Sequence, residues 1–319
     1  MVRERTRLNA VIVLILIYTV LPLLFINTPY VIFILVQMVF FTVFAYGFNF
    51  LFGFTRQLFL CIGAFIGMGA YITGISLREG LMGPVEAMLV SMLAVAFVGW
   101  VVSVLSIRRR LVVIFTGIFT LAITLVFNNL VIGLSGITGG ETGFRIRGIS
   151  LGPLDALPYN LRFYYLAAAL VLTVTMASYY LLFHTKTGYA YRCIIDDENS
   201  AELVGINVSR VKSLTALFSS ALLGLAGALY GLFSQLIAPS YFAFSSIDIP
   251  VQLIVILGGR TTLLGPYIGS AIISIVNETL KFLGPLTQIL YGLTLLFLLA
   301  FFRNGIVDFV KRRLVKWLF

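Results

Sequence analysis

Apolar runs of about 20 residues recur along this chain from one end to the other, and about 20 residues is the length that carries an α-helix across roughly 30 Å of hydrocarbon. Only 11% of the 319 residues are charged and 60% are hydrophobic, too little charge to cover the surface of a soluble chain of this size. No polar segment is long enough to fold by itself. The fold class that follows is all-α, a polytopic membrane helix bundle, with residues 1–319 forming a single transmembrane domain.

Ten candidate spans can be marked, at 8–26, 30–52, 58–77, 85–106, 111–134, 163–183, 213–236, 248–258, 266–281 and 285–302. The eighth and ninth are short and separated by Gly258-Gly259 and Gly265-Pro266, so they read as two short helices or one broken helix, which membranes tolerate where the break lines a cavity or is buried. The first run follows Met1-Val-Arg-Glu-Arg-Thr-Arg. It is long enough to span and no small-residue cleavage site closes it, so it reads as an uncleaved helix.

Ten spans put both termini on one side. With the termini inside, only Arg78, Arg145, Arg147, Arg162 and Lys281 fall outside, and the other 17 of the 22 Lys and Arg fall inside. That is the bias the positive-inside rule asks for. It also accounts for the formal charge of +10 without nucleic acid, because the basic residues sit in short clusters between apolar runs. The longest inside segment, 184–212, is the most charged; an outside loop, 135–161, is rich in glycine and proline.

Catalytic and metal chemistry find little to work with. His184 is the single histidine, and Cys61 and Cys193 lie in unlike surroundings, an apolar run and a charged loop. Neither a clustered Cys/His metal site nor a positioned nucleophile and base is in view. The carboxylates nearest the membrane, Glu86, Asp248 and Glu278, all fall at the outer ends of spans on this topology. An ion-coupled secondary transporter normally carries such a group at depth, so the expectation is a permease driven by another subunit. No cofactor is expected.

The fifth span places Thr116, Thr120, Thr124 and Asn128 four residues apart, on one slowly spiralling helix face. Such a stripe is either a hydrated translocation path for a polar solute or a set of interhelical hydrogen bonds. Three Gly-x-x-x-Gly pairs, Gly63/Gly67, Gly227/Gly231 and Gly265/Gly269, allow close helix packing within the subunit or at an interface. In the inside loop, Asn199-Ser-Ala-Glu202 fits a helix start, with Asp196, Asp197 and Glu198 beside its positive end and Gly205 as the stop. The predicted helix, 199–204 and including Ala201 and Leu203, is either a docking helix for a cytoplasmic partner or a solvated turn.

The stretch Thr187–Gly231, TGYAYRCIIDDENSAELVGINVSRVKSLTALFSSALLGLAGALYG, resembles the cytoplasmic loop and following span of the LivM-type permeases of branched-chain amino acid ABC importers, a family of binding-protein-dependent transport permeases. Three further segments resemble the same family in the same order: Gly47–Gly74, Ile137-Thr-Gly-Gly140 and Val255–Gly269. The sequence departs from the family pattern at Thr55-Arg56, Cys61-Ile62 and Arg260, which leaves the substrate open, since related permeases import urea or short amides. The resemblance implies import of branched-chain or related small polar amino acids across the cell inner membrane. It also implies partners: a second homologous permease subunit, two cytoplasmic ABC ATPase subunits contacting the 184–212 loop, and an extracytoplasmic solute-binding protein. No Walker A motif is present, so the chain is not expected to be an enzyme; ATP hydrolysis falls to the partners.

Overall fold

The computed structural model describes residues 28–146 and 157–281, with five further positions at 22, 24, 25, 292 and 293. Apart from those five positions, the candidate spans 8–26 and 285–302 lie outside the described residues, as does the 147–156 part of the outside loop.

The elements run α1 (Pro29–Phe48, continued by a π-helical turn Asn49–Phe54), α2 (Ile62–Arg78), α3 (Pro84–Arg108), α4 (Val113–Gly133), the short α5 (Ser135–Thr138), β1 (Phe144–Arg145), α6 (Tyr159–His184), α7 (Lys186–Asp196), α8 (Glu198–Leu203), α9 (Val208–Ser234), β2 (Leu236–Ile237), α10 (Ile249–Gly258) and α11 (Gly265–Lys281). A 3₁₀ turn (Pro239–Phe242) and a π turn (Phe244–Asp248) lead into α10. Among the described residues five helices are long and apolar enough to cross a membrane: α1 with its π turn, α3, α4, α6 and α9. The chain is a multi-pass helix bundle.

Helix α9 sits at the centre, packed most heavily on α3 and α2 and also on α1. Its glycines make this possible. A Cβ on Gly227 would fall 2.1 Å from the carbonyl oxygen of Ile66, and one on Gly224 would fall 2.7 Å from the Val95 side chain. With no hydrophobic drive between helices in lipid, close backbone approach of this kind is what holds them. Helix α9 begins at Val208 rather than near 213, because the Asn207 side chain accepts the Arg210 amide at 2.9 Å and caps it. Its far end stops at Gln235, which has φ 58°, and the chain then pairs Leu236–Ile237 with Phe144–Arg145 in a two-stranded clasp.

The short eighth and ninth spans are two separate helices. They form a hairpin in which a Cβ on Gly258 would meet the Gly265 carbonyl oxygen at 2.0 Å and one on Gly269 the Ile254 carbonyl oxygen at 2.1 Å. The hairpin packs on α1, where Asn49 accepts the Thr261 amide and donates to the Thr262 carbonyl.

The expected span 58–77 is shorter than predicted. Residues 56–61 are not helical, and α2 starts only at Ile62. Non-helical backbone at membrane depth needs partners from its surroundings, and those partners are the candidate site residues.

Candidate functional site

The threonine stripe of α4 faces this non-helical segment. Thr116, Thr120 and Thr124 are all buried. The Thr120 hydroxyl accepts the Leu60 amide at 2.9 Å and lies 2.9 Å from the Thr116 carbonyl, to which it donates. The Thr124 hydroxyl donates to the Leu60 carbonyl at 2.9 Å. Two hydroxyls thus satisfy both backbone groups of Leu60 where no helix can. Asn128 differs: its Oδ1 is buried and has no partner among the described residues. Among the stripe residues it alone keeps a buried polar side-chain atom without such a partner.

The other end of the gap is closed by Asp248. One carboxylate oxygen accepts the Ile62 amide at 2.7 Å and the other the Gly63 amide at 3.2 Å, so the side chain caps the first turn of α2, whose amides would otherwise be orphaned. This corrects the placement of Asp248 at the outer end of a span. Thr124, bonded two residues before Ile62, is the twelfth residue of the 21-residue α4. Asp248 therefore lies level with the middle of a crossing, and α10 runs only about 15 Å onward from it. It was missed because span counting puts a carboxylate beside a ten-residue apolar run at the membrane edge; the shortness of that run was the available signal. Glu86, by contrast, caps the start of α3 by accepting the Gly83 amide at 3.1 Å.

All six paired glycines meet atoms of this same chain. A Cβ on Gly63 would fall 2.5 Å from the Phe242 carbonyl oxygen, one on Gly67 2.6 Å from the Phe127 ring, and one on Gly231 2.8 Å from the Ala70 Cβ.

The 184–212 loop is more ordered than the sequence suggested. It holds two helices, α7 and α8, and the first turn of α9. Helix α8 spans Glu198–Leu203, and its cap is Asp197, not Asn199: the Asp197 carboxylate accepts the Ser200 amide at 3.0 Å and its hydroxyl at 2.6 Å. The Ser200 hydroxyl, then the Ser200 amide, holds the Asp197 carboxyl below its ordinary value. A depressed carboxyl loses its contribution only as pH falls through the lowered value, so the cap persists through neutral and mildly acidic solution. The predicted stop stands where expected. Gly205 has φ 89°, and the Ile206 amide reaches back to the Ala201 carbonyl at 3.1 Å, the six-to-one bond of a Schellman terminus.

With both ends fixed, α8 is anchored on one face and free on the other. Ala201 is buried against Ile194 and Val208, and Lys212 of α9 pairs with Glu198 at 2.6 Å. Leu203 and Val204 project outward, 88% and 79% exposed. Two apolar side chains thus stand exposed together at the end of this capped helix. Glu202 and Asn199 face a polar cleft of about 640 Å³ that also takes in Arg56, Gln57, Arg110 and Lys212 and reaches Thr116, the first residue of the stripe. The loop helix and the threonine face thus share one cleft.

A family model described as the branched-chain amino acid transport system permease component matches residues 30–299. The chain belongs to this family. Its curated relatives include the high-affinity branched-chain amino acid transport system permease protein LivM of Escherichia coli K12, 21% identical over 84% of this chain and 68% of that protein. LivM of Salmonella typhimurium is 21% identical over 55% of this chain and 40% of its own length. The tyrosine transport system permease protein of Clostridioides difficile is 24% identical over 62% of this chain and 60% of its own length. The chain thus spans between 40% and 68% of these relatives. No solved structure matches it. The family match takes in the non-helical segment 56–61, the Asp248 cap, the hairpin and α8.

Proposed function

We propose that this chain is the permease subunit of an ATP-driven importer that carries branched-chain or related small polar amino acids across the cell inner membrane. The chain crosses the membrane ten times as one domain, with both termini and the 184–212 loop in the cytoplasm. A second homologous permease completes the pathway. Two cytoplasmic ATPase subunits hydrolyse ATP, and an extracytoplasmic binding protein delivers the solute.

Family membership supports this reading, and so do the names of the relatives, which are permeases of amino acid transport systems. The observation that carries the coupling claim is α8: capped at both ends, anchored through Ala201 and Glu198, with Leu203 and Val204 exposed. A rigid short helix with an apolar tip suits the transmission of force from a partner, and the cleft behind it leads to Thr116. We assign the coupling role to Asp196, Asp197, Glu198, Asn199, Ala201, Glu202, Leu203 and Gly205. The path runs along the Thr116–Asn128 face, with Asn128 meeting the solute and the threonines holding the wall.

The test uses the complex reconstituted in vesicles, with uptake measured across branched-chain amino acids, tyrosine and urea. Leu203→Asp places a charge on the docking tip without disturbing the caps. It is expected to insert normally and to lose most solute-stimulated ATP hydrolysis, and Ala201→Pro, which removes the amide bonded to the Asp197 carbonyl, should do the same. Wild-type coupling in both variants would overturn the assignment of α8, while uptake that proceeds without ATPase subunits would overturn the importer reading as a whole.

A further inference from the structure

A second cleft, of about 400 Å³, opens where the end of α6, the start of α7 and the first turns of α9 meet. The coupling geometry does not use it. Lys186 and Arg210 stand at its mouth, both exposed, and among the described residues neither forms an ion pair. Its wall changes character along α9. One to two turns beyond Arg210 the lining is Val211, Leu214, Phe218 and Thr215, whose hydroxyl is bonded to the Val211 carbonyl, and Leu214 and Phe218 are 42% and 69% exposed. A cationic mouth therefore opens onto an apolar groove that continues along a membrane-crossing helix.

The surroundings fix the depth of the mouth. Tyr180, at the end of α6, and Tyr189, on α7, are 62% and 64% exposed. Side chains with an apolar ring and a polar tip gather at headgroup level. Helix α7 buries Gly188, Ala190, Tyr191 and Ile194 against the rest of the chain and turns Tyr189 and Arg192 outward beside the mouth.

We propose that this cleft binds an anionic phospholipid of the cytoplasmic leaflet, with the phosphate between Lys186 and Arg210 and an acyl chain along Leu214 and Phe218. The cations call for an anion, and the groove beneath them calls for hydrocarbon; an acidic lipid joins the two in one molecule. A free phosphate would leave the groove empty. A zwitterionic lipid would bring its own cation against the two already there. The assignment to the cytoplasmic leaflet rests on the topology proposed above, whereas binding itself does not depend on it.

The experiment is native mass spectrometry of the full chain in detergent, titrated with phosphatidylglycerol and with phosphatidylcholine of the same acyl chains. The wild type is expected to retain phosphatidylglycerol selectively. In Lys186→Gln/Arg210→Gln that binding should weaken on the order of thirty-fold, at about a tenfold factor for each 1.4 kcal/mol and about 1 kcal/mol for each cation, while phosphatidylcholine binding stays as it was. Lys186→Arg/Arg210→Lys keeps both charges and should bind as the wild type does. That variant carries the test if the neutral one does not fold, and its failure to bind would overturn the proposal. Phe218→Ala should weaken the lipid but leave inorganic phosphate without effect. The proposal falls if the neutral variant keeps phosphatidylglycerol, or if inorganic phosphate competes at equal concentration. Because the readout is made in detergent, a reversed topology would leave it intact and would show itself in labelling of intact cells instead.

Discussion

Helices α4 and α9 are nearly equal in hydropathy, yet 67% of the most apolar stretch of α9 is buried and only 28% of that of α4. Apolar character does not decide which helix goes to the centre, because lipid is as apolar as a leucine side chain. Small residues decide it. Helix α9 carries Gly224, Gly227 and Gly231 where neighbouring backbones come close. Helix α4 turns Ile114, Phe115, Ile118, Leu125 and Leu130 outward and joins the bundle through threonine hydroxyls. One helix is held by shape and the other by hydrogen bonds to a broken segment.

The largest expected effect tests the shape half of this contrast. Gly227→Leu would drive a side chain into the Ile66 carbonyl, a backbone atom with no freedom to move. The expected cost is about 3 kcal/mol or more, seen as loss of monodisperse protein on size exclusion. Ile118→Ala on the exposed face of α4 should stay within about 0.5 kcal/mol. Equal damage from the two would erase the distinction between the helices.

The hydrogen-bonded half is tested next by Asp248→Ala, which leaves the Ile62 and Gly63 amides without acceptors at about 1–3 kcal/mol each. Thermal stability should drop well below that of the wild type, and Asp248→Asn, which keeps an acceptor for one amide, should recover part of the loss. Full stability of the alanine variant would mean that α2 needs no cap. The smallest of these effects is Thr120→Val. It preserves shape and removes the acceptor for the Leu60 amide, so it should cost about 1–2 kcal/mol and slow uptake. A change in uptake with no change in stability would sharpen the picture differently, placing the hydroxyl on the solute rather than on the wall.

The long spans and the close glycine pairs could be read from residue order, because each depends on local composition. So could the helix in the 184–212 loop, since caps and stops act within a few residues. The sequence named Asn199 as the cap where Asp197 serves, an error of register between two good capping residues. The gap at residues 56–61 was hidden because Leu58, Phe59 and Leu60 continue an apolar run, and only their distant partners reveal that they are not helical. Thr120 lies 60 residues from Leu60, and Asp248 lies 186 residues from Ile62. The stripe on α4 was visible, but what it bonds to was not. The exposed tip at Leu203 and Val204 depends in turn on which face Ala201 buries, which is a matter of tertiary packing.

That long separation has a consequence for how the protein is made. Helix α2 leaves the ribosome with its first amides unpaired, and the carboxylate that completes it has yet to be synthesised. At about 5–20 residues per second, 186 residues take roughly 10–40 s. Throughout that interval the first turn of α2 needs shelter from lipid, from water or from the insertion machinery, and Asp248 must then enter the bilayer on a helix too short to carry it there alone. The latch between the two halves of the chain closes late, so nascent chains stalled between residues 80 and 248 should leave Cys61, buried in the finished protein, open to thiol reagents that can no longer reach it once synthesis ends.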